Sequence, residues 1–168
     1  MTLYSFIGSL EQGLVFALMV LGVYLTFRVL DFPDLTVDGS LPLGAAVSAA
    51  LITQRVDPFL SLGVAMLAGA LAGCVTALLS TKLRIMSLLA SIITMTALYS
   101  INLRIMGRPN LPLLGQPTIF DALAIDGLPR HLLVPLVFLV VAVAWKGALD
   151  WFLHTQMGMA LRATGDNP

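Results

Sequence analysis

The sequence predicts an all-α fold, a polytopic transmembrane helix bundle whose second helix is broken. Three observations carry that prediction. Hydrophobic residues are 58% of the 168-residue chain and charged residues only 11%, whereas a soluble domain carries roughly 25% charged residues. Uncharged apolar runs recur along the chain, several of them near the roughly 20 residues that a helix needs to cross a bilayer. Between the first two runs, residues 31–40 break the pattern with Asp31, Pro33, Asp34 and Asp38.

Residues 3–30 form the first expected span, with Glu11 toward its outer end. The start of the chain up to Gly13 holds no Lys or Arg. The charged opening of a signal peptide is therefore missing, and this span is expected to stay in the mature protein. Residues 33–52 form a second span, short or broken. The apolar run from Pro42 to Ile52 is too short to cross alone. It crosses only if residues 32–40 lie at membrane depth, where irregular backbone is tolerated when buried in protein or lining a watery cavity, as in transporters. The plainer reading is a turn, with Asp38 or Ser40 capping a helix and Pro42 in its first turn. Both readings stand at this point.

Residues 59–79 contain no charge and carry Gly63, Gly69 and Gly73 with Ala65, Ala68, Ala70 and Ala72. Gly69 and Gly73 make a Gly-x-x-x-Gly pair, expected to let helices approach closely inside the subunit, with a dimer seam as the alternative. Residues 87–103 and 132–151 are the remaining spans, the last interrupted only by Lys146 and Asp150 near its end. Between them, Pro109, Pro112, Pro117 and Pro129, with Gly107, Gly115 and Gly127, forbid a long helix. Leu111, Leu113, Leu114, Ile119 and Phe120 suggest that this connection lies on the outer membrane face, either sealing helix ends or receiving a partner. Lys82 and Arg84, and again Lys146 and Arg162, mark cytoplasmic ends. The 104–130 connection then lies outside despite three arginines, which Asp121 and Asp126 partly offset. The N-terminus is outside if residues 33–52 cross, inside if they re-enter.

Chemistry of other kinds is excluded. A net charge of zero argues against nucleic-acid binding. Cys74 is single, and no phosphate loop, His-Glu-x-x-His or Cys-x-x-Cys occurs. His131 and His154 flank the last span at opposite faces. No catalytic, metal-binding or cofactor residue is assigned, so the chain is read as no enzyme. Arg28 either pairs with Asp31 and Asp34 or snorkels to the interface. A cavity lined by Ser, Thr, Met and Tyr from these helices would suit many small organic solutes, and spacing alone does not choose among them.

Residues 155–165 differ from everything before them: a short, polar, helix-forming run carrying Arg162, set directly after a span, where something soluble can grip it. Here a resemblance enters. Pro33-Asp34-Leu35-Thr36-Val37-Asp38-Gly39-Ser40 looks like the Asp-Leu-Ser-Val-Gly-Ser signature at the broken second helix of ribose-type permeases, with one residue inserted. Thr155-x-x-Gly158-x-x-Leu161-Arg162-Ala163-x-Gly165-x-Asn167-Pro168 looks like their cytoplasmic coupling segment. The chain thus resembles the permease subunits of bacterial ABC importers, in the branch that includes branched-chain amino-acid and ribose permeases.

That resemblance implies an inner-membrane, multi-pass permease domain over residues 1–168, without cofactor, working with a separate ATP-binding subunit, a second permease copy and an extracytoplasmic solute-binding protein. It implies that Thr155, Gly158, Leu161, Arg162, Gly165 and Asn167 couple to the ATPase, and that Asp34, Thr36, Asp38 and Ser40 lie along the translocation path. The segment from Phe32 to Ala46 and the turn from Arg104 to Asn110 look closer to a sub-branch with aromatic amino acids among its proposed substrates. Family members continue past the coupling segment, so the chain is expected to be the N-terminal part of a permease. A secondary transporter fragment and a structural membrane subunit are the competing readings. The first would need an ion or proton relay, and no carboxylate stands in the middle of residues 59–79 or 87–103. The second leaves the polar segment at 155–165 without a purpose.

Overall fold

The computed structural model describes residues 3–123 and 129–166, which leaves Asp126, Gly127, Asn167 and Pro168 outside the described residues. All regular structure within them is helical. In chain order these helices are α1 (Leu3–Tyr24), continued by a π-helical turn at Leu25–Val29, α2 (Val37–Thr53), α3 (Pro58–Thr81), α4 (Ser87–Met106), the single turn α5 (Ile119–Ala122), α6 (Arg130–Leu153) and α7 (Gln156–Asp166). Four stretches are long and apolar enough to cross a bilayer: Tyr4–Val29, Pro58–Thr81, Ser87–Met106 and Arg130–Leu153. The 17 residues of α2 extend about 25 Å at 1.5 Å per residue, short of a full crossing. The chain divides into two units, one made of Pro33–Ala122 and the other of the segments before and after it.

In the Pro33–Ala122 unit, α2 packs on both α3 and α4. Lipid removes the hydrophobic drive between helices, so small residues and shared hydroxyls must hold them. The seam reflects this. Ser61, Ala65, Ala72 and Thr76 are the buried residues of α3, on one helical stripe. Leu43, Ala72 and Leu98 form the apolar centre, with Val47 and Ala68 against it. Thr36 and Thr76 share a 2.7 Å hydroxyl–hydroxyl bond, and Ser48 and Ser61 lie 3.4 Å apart. Gly39 is buried where α2 meets α4: a Cβ there would stand 3.1 Å from the Met95 backbone and 3.1 Å from Leu98 Cδ1.

Local chemistry sets the helix ends. Asp57 caps α3, accepting from the Phe59 and Leu60 amides at 2.8 and 3.3 Å, and Pro58 occupies the first turn. Gly107, at φ 68°, closes α4 in the left-handed conformation that favours glycine. Within the 104–123 connection, Asp121 accepts from both the amide and the hydroxyl of Thr118 at 2.8 Å, which winds the one turn of α5. Leu114 is 97% exposed.

Two expectations are corrected in this unit. The turn reading placed Asp38 or Ser40 at the cap and Pro42 in the first turn. Instead Thr36 precedes α2 without a side-chain cap, Asp38 lies in the first turn, and Pro42 sits inside the helix. Gly69 and Gly73 do not mediate close packing within the unit, since a Cβ on either would meet nothing within 4 Å. The buried stripe of α3 runs through its alanines, serine and threonine.

In the other unit, α1 packs along α6, and α7 returns to both α6 and the π-helical turn. The Tyr4 ring lies edge-on to His131, centroids 5.3 Å apart, while α7 reaches Val29 at the far end of α1. The two long helices therefore run parallel, and Arg28, Lys146 and Arg162 gather toward one end. Lys146 and Asp150 pair at 2.7 Å across one exposed turn, and the His154 ring sits 2.6 Å from the Asp150 carbonyl.

Candidate functional site

Helix α7 is seated on the ends of its neighbours. Thr155 opens it: its hydroxyl donates to the Phe152 carbonyl at 2.6 Å and accepts from the Gly158 amide at 3.3 Å, a side-chain N-cap. Gly158 is buried, and a Cβ there would drive into the Phe152 carbonyl and the Leu153 backbone. Gly165 meets the end of α1 in the same way, with any Cβ forced onto the Val29 carbonyl. Leu161 is half-buried on the same side. Residues three and four apart share a helix face, so Thr155, Gly158, Leu161 and Gly165 form one stripe turned toward α6 and α1.

The opposite face is open. Gln156, Met159, Ala160 and Ala163 are exposed there, with Met157 (74% exposed) on one flank and Arg162 on the other. Arg162 is exposed and, with Tyr24, Arg28 and Val29, lines a cavity of about 340 Å³. The sequence pattern therefore picked out the residues that seat the helix more than the residues that it presents. A helical projection of residues 155–165 against two unprotected methionines is the signal that separates them. Asn167 lies outside the described residues.

The four residues expected along a path have different surroundings. The Asp34 carboxylate accepts from the Thr36 amide at 2.8 Å, stabilising the irregular backbone before α2. Thr36 is buried in its bond to Thr76. The Ser40 hydroxyl turns back to the Val37 carbonyl at 3.5 Å. Asp38 alone opens into a cavity of about 350 Å³ between α2 and α4, which Gly39, Pro42, Met95, Tyr99 and Asn102 also line. Asn102 donates from Nδ2 to the Gly39 carbonyl at 3.4 Å, and its Oδ1 is buried without a hydrogen-bond partner among the described residues. Sequence reasoning missed Asn102, since only folding brings it to Asp38. Pro42 supplies no amide hydrogen to the Asp38 carbonyl one turn back, which loosens the helix at this point.

No group of three or more His, Cys, Asp or Glu able to hold a metal ion occurs among the described residues. What remains is a membrane bundle with a mainly apolar cavity at a short helix, where Asp38 and Asn102 supply polar groups, and a short polar helix at one end. That combination defines the class as a multi-pass membrane protein.

Comparison with known proteins narrows the class. Residues 5–168 match the family described as branched-chain amino acid transport system / permease component, and the chain belongs to that family. It is 40% identical over 161 residues to the tyrosine transport system permease protein of Clostridioides difficile (strain R20291), covering 96% of this chain and 52% of the relative. It is 39% identical over 150 residues to the uncharacterized protein RP368 of Rickettsia prowazekii (strain Madrid E), covering 88% and 53%. It is 25% identical over 166 residues to the ribose import permease protein RbsC of Escherichia coli (strain K12), covering 99% and 51%. The chain spans about half the length of the curated relatives it matches. No solved structure matches it. Family and hydropathy together make it a multi-pass protein of the inner membrane.

Proposed function

We propose that this chain is part of the permease subunit of an ATP-binding cassette importer for a small organic solute, an amino acid in particular. ATP is hydrolysed in a separate subunit that grips α7. A second permease copy completes the solute path, and an extracytoplasmic binding protein delivers the solute. The observation that carries this reading is the seating of α7. Buried Gly158 and half-buried Gly165, each too close to neighbouring backbone for a Cβ, fix a polar helix to the ends of α6 and α1, while its Met159–Ala160–Ala163 face stays open.

Closure of the ATPase would push on that face, and the rigid seat would transmit the motion into α1 and α6 without slack. The positive-inside rule puts the Arg28, Lys146 and Arg162 end in the cytoplasm, where an ATPase would be found. Parallel α1 and α6 then start outside, and the N-terminus with them. The first turn of α2 meets the middle of α4 at Met95 and Leu98, which favours membrane depth for residues 31–36. Asp38 and its cavity then lie near the bilayer midplane, as broken helices do in transporters. The amino-acid assignment follows from the similarity to a tyrosine permease.

Co-purification tests this reading. The full-length protein should retain its genomically adjacent ATPase in mild detergent, and Ala160→Glu together with Ala163→Glu should weaken capture at least tenfold. Capture unaffected by both changes would remove the coupling assignment.

A further inference from the structure

We propose that the cavity between α2 and α4 binds the ammonium group of an amine-bearing solute, with the Asp38 carboxylate and Asn102 Oδ1 as acceptors. The inference rests on the transport reading and deepens it, because it names the solute group recognised at the path.

The polar chemistry of the cavity is mainly that of an acceptor. Asp38 brings a carboxylate to it. Asn102 is 5% exposed, and its amide orientation is fixed because Nδ2 is committed to the Gly39 carbonyl. Its Oδ1 is buried with no hydrogen-bond partner among the described residues, on a side chain that lines the cavity. A buried acceptor left unpaired costs roughly 1–3 kcal/mol, so an incoming N–H donor recovers a bond that the protein does not make for itself. No Lys, Arg or His lines the cavity, so a solute with a carboxylate or phosphate and no amine would find no cation there, and Asp38 would repel it. An ammonium carries three donors and a positive charge complementary to the Asp38 carboxylate. Charges inside a membrane protein are expensive and tend to mark solute routes.

The rest of the wall is apolar and fits the remainder of such a solute. Pro42, Met95 and the ring of Tyr99 line it, and about 350 Å³ lies within the range of small-molecule sites. Met95 and Asn102 stand about 12 and 22 Å along α4 from its first residue by the helical rise. Counted from the other end of α4 at Met106, they stand about 16 and 6 Å away, so the cavity runs from the middle of the helix toward that end.

The test uses the full-length protein with Cys74→Ala and Thr96→Cys, since Thr96 is exposed at this cavity. Alkylation of the new thiol by a maleimide is timed with 2-phenylethylamine or with phenylacetate, two probes of similar shape and opposite charge. The expected result is at least fivefold slower labelling with millimolar amine and no change with phenylacetate. Asp38→Asn should raise the half-protecting amine concentration about tenfold, the loss of one charge-assisted hydrogen bond. Equal protection by phenylacetate, or an Asp38→Asn response identical to the parent, overturns the proposal. ATPase capture measured on the same preparation separates the two claims. Capture without amine protection overturns the ammonium site alone. Amine protection without capture supports the site and overturns the importer reading.

Discussion

Glycines on α3 and on α7 are used in opposite ways. Gly69 and Gly73 carry the sequence pattern associated with tight helix pairing, yet a Cβ on either meets nothing within 4 Å. Gly158 and Gly165 sit in a short polar helix with no such pattern, and there a single methyl would strike backbone carbonyls at Phe152 and Val29. Within the Pro33–Ala122 unit, helices are held by alanine and hydroxyl contacts along α2, so α3 has no need of its glycines for that seam. In the other unit a helix must fold sharply back over the ends of two neighbours, and only a missing side chain permits it. The lesson is that glycine matters where backbone meets backbone, and a motif does not locate that meeting.

The comparison can be broken most severely at α7. Gly165→Val and Gly158→Val each place a branched side chain against backbone that cannot retreat, and overpacking of this kind costs about 1–3 kcal/mol or more. Either should unseat α7, seen as faster tryptic cleavage at Arg162 and at least tenfold weaker ATPase capture, with membrane insertion unchanged. Normal protection at Arg162 would show that the seat is looser than described.

A smaller effect is expected at the hydroxyl seam. Thr36→Val removes one partner of the 2.7 Å bond to Thr76, and interhelical bonds of this sort average about 0.6 kcal/mol in a membrane protein. Reversible unfolding in mixed detergent should register a loss of about 0.5–1.5 kcal/mol. Least of all is expected from Gly69→Ala and Gly73→Ala. Helix propensity alone favours alanine by about 0.8–1 kcal/mol, so both variants should match or slightly exceed the parent in stability. A clear loss would reveal a neighbour seated on that face from another chain, the dimer seam.

Much of the architecture was legible in the residues because bilayer thickness is a ruler. Apolar length located α3, α4 and α6, helped in the first two by uncharged runs at 59–79 and 87–103, and the polar composition of residues 155–165 set α7 apart. The start of α2 was harder. Asp38, Ser40 and Pro42 are all plausible at a helix opening by local rules, and the choice was made by Thr36 bonding to Thr76 on another helix. The cavity was least legible. Asp38 was identifiable as a charge out of place, but Asn102 is 63 positions away from its partner Gly39 in the chain, and nothing local marks it. Likewise, Thr155, Gly158, Leu161 and Gly165 stood out as a pattern, but whether a regular stripe faces inward or outward depends on what packs beside it.

On the function proposed above, one face of α7 is seated on its own chain and the other is offered to an ATPase. A cysteine scan along residues 156–165 in a Cys74→Ala background, cross-linked to the ATPase in native membranes, tests it most directly. The account predicts cross-links at Met159, Ala160 and Ala163 and none at Gly158, Leu161 or Gly165, a pattern with helical period. Cross-links concentrated at Leu161 and the two glycines, or spread evenly over every position, would contradict it.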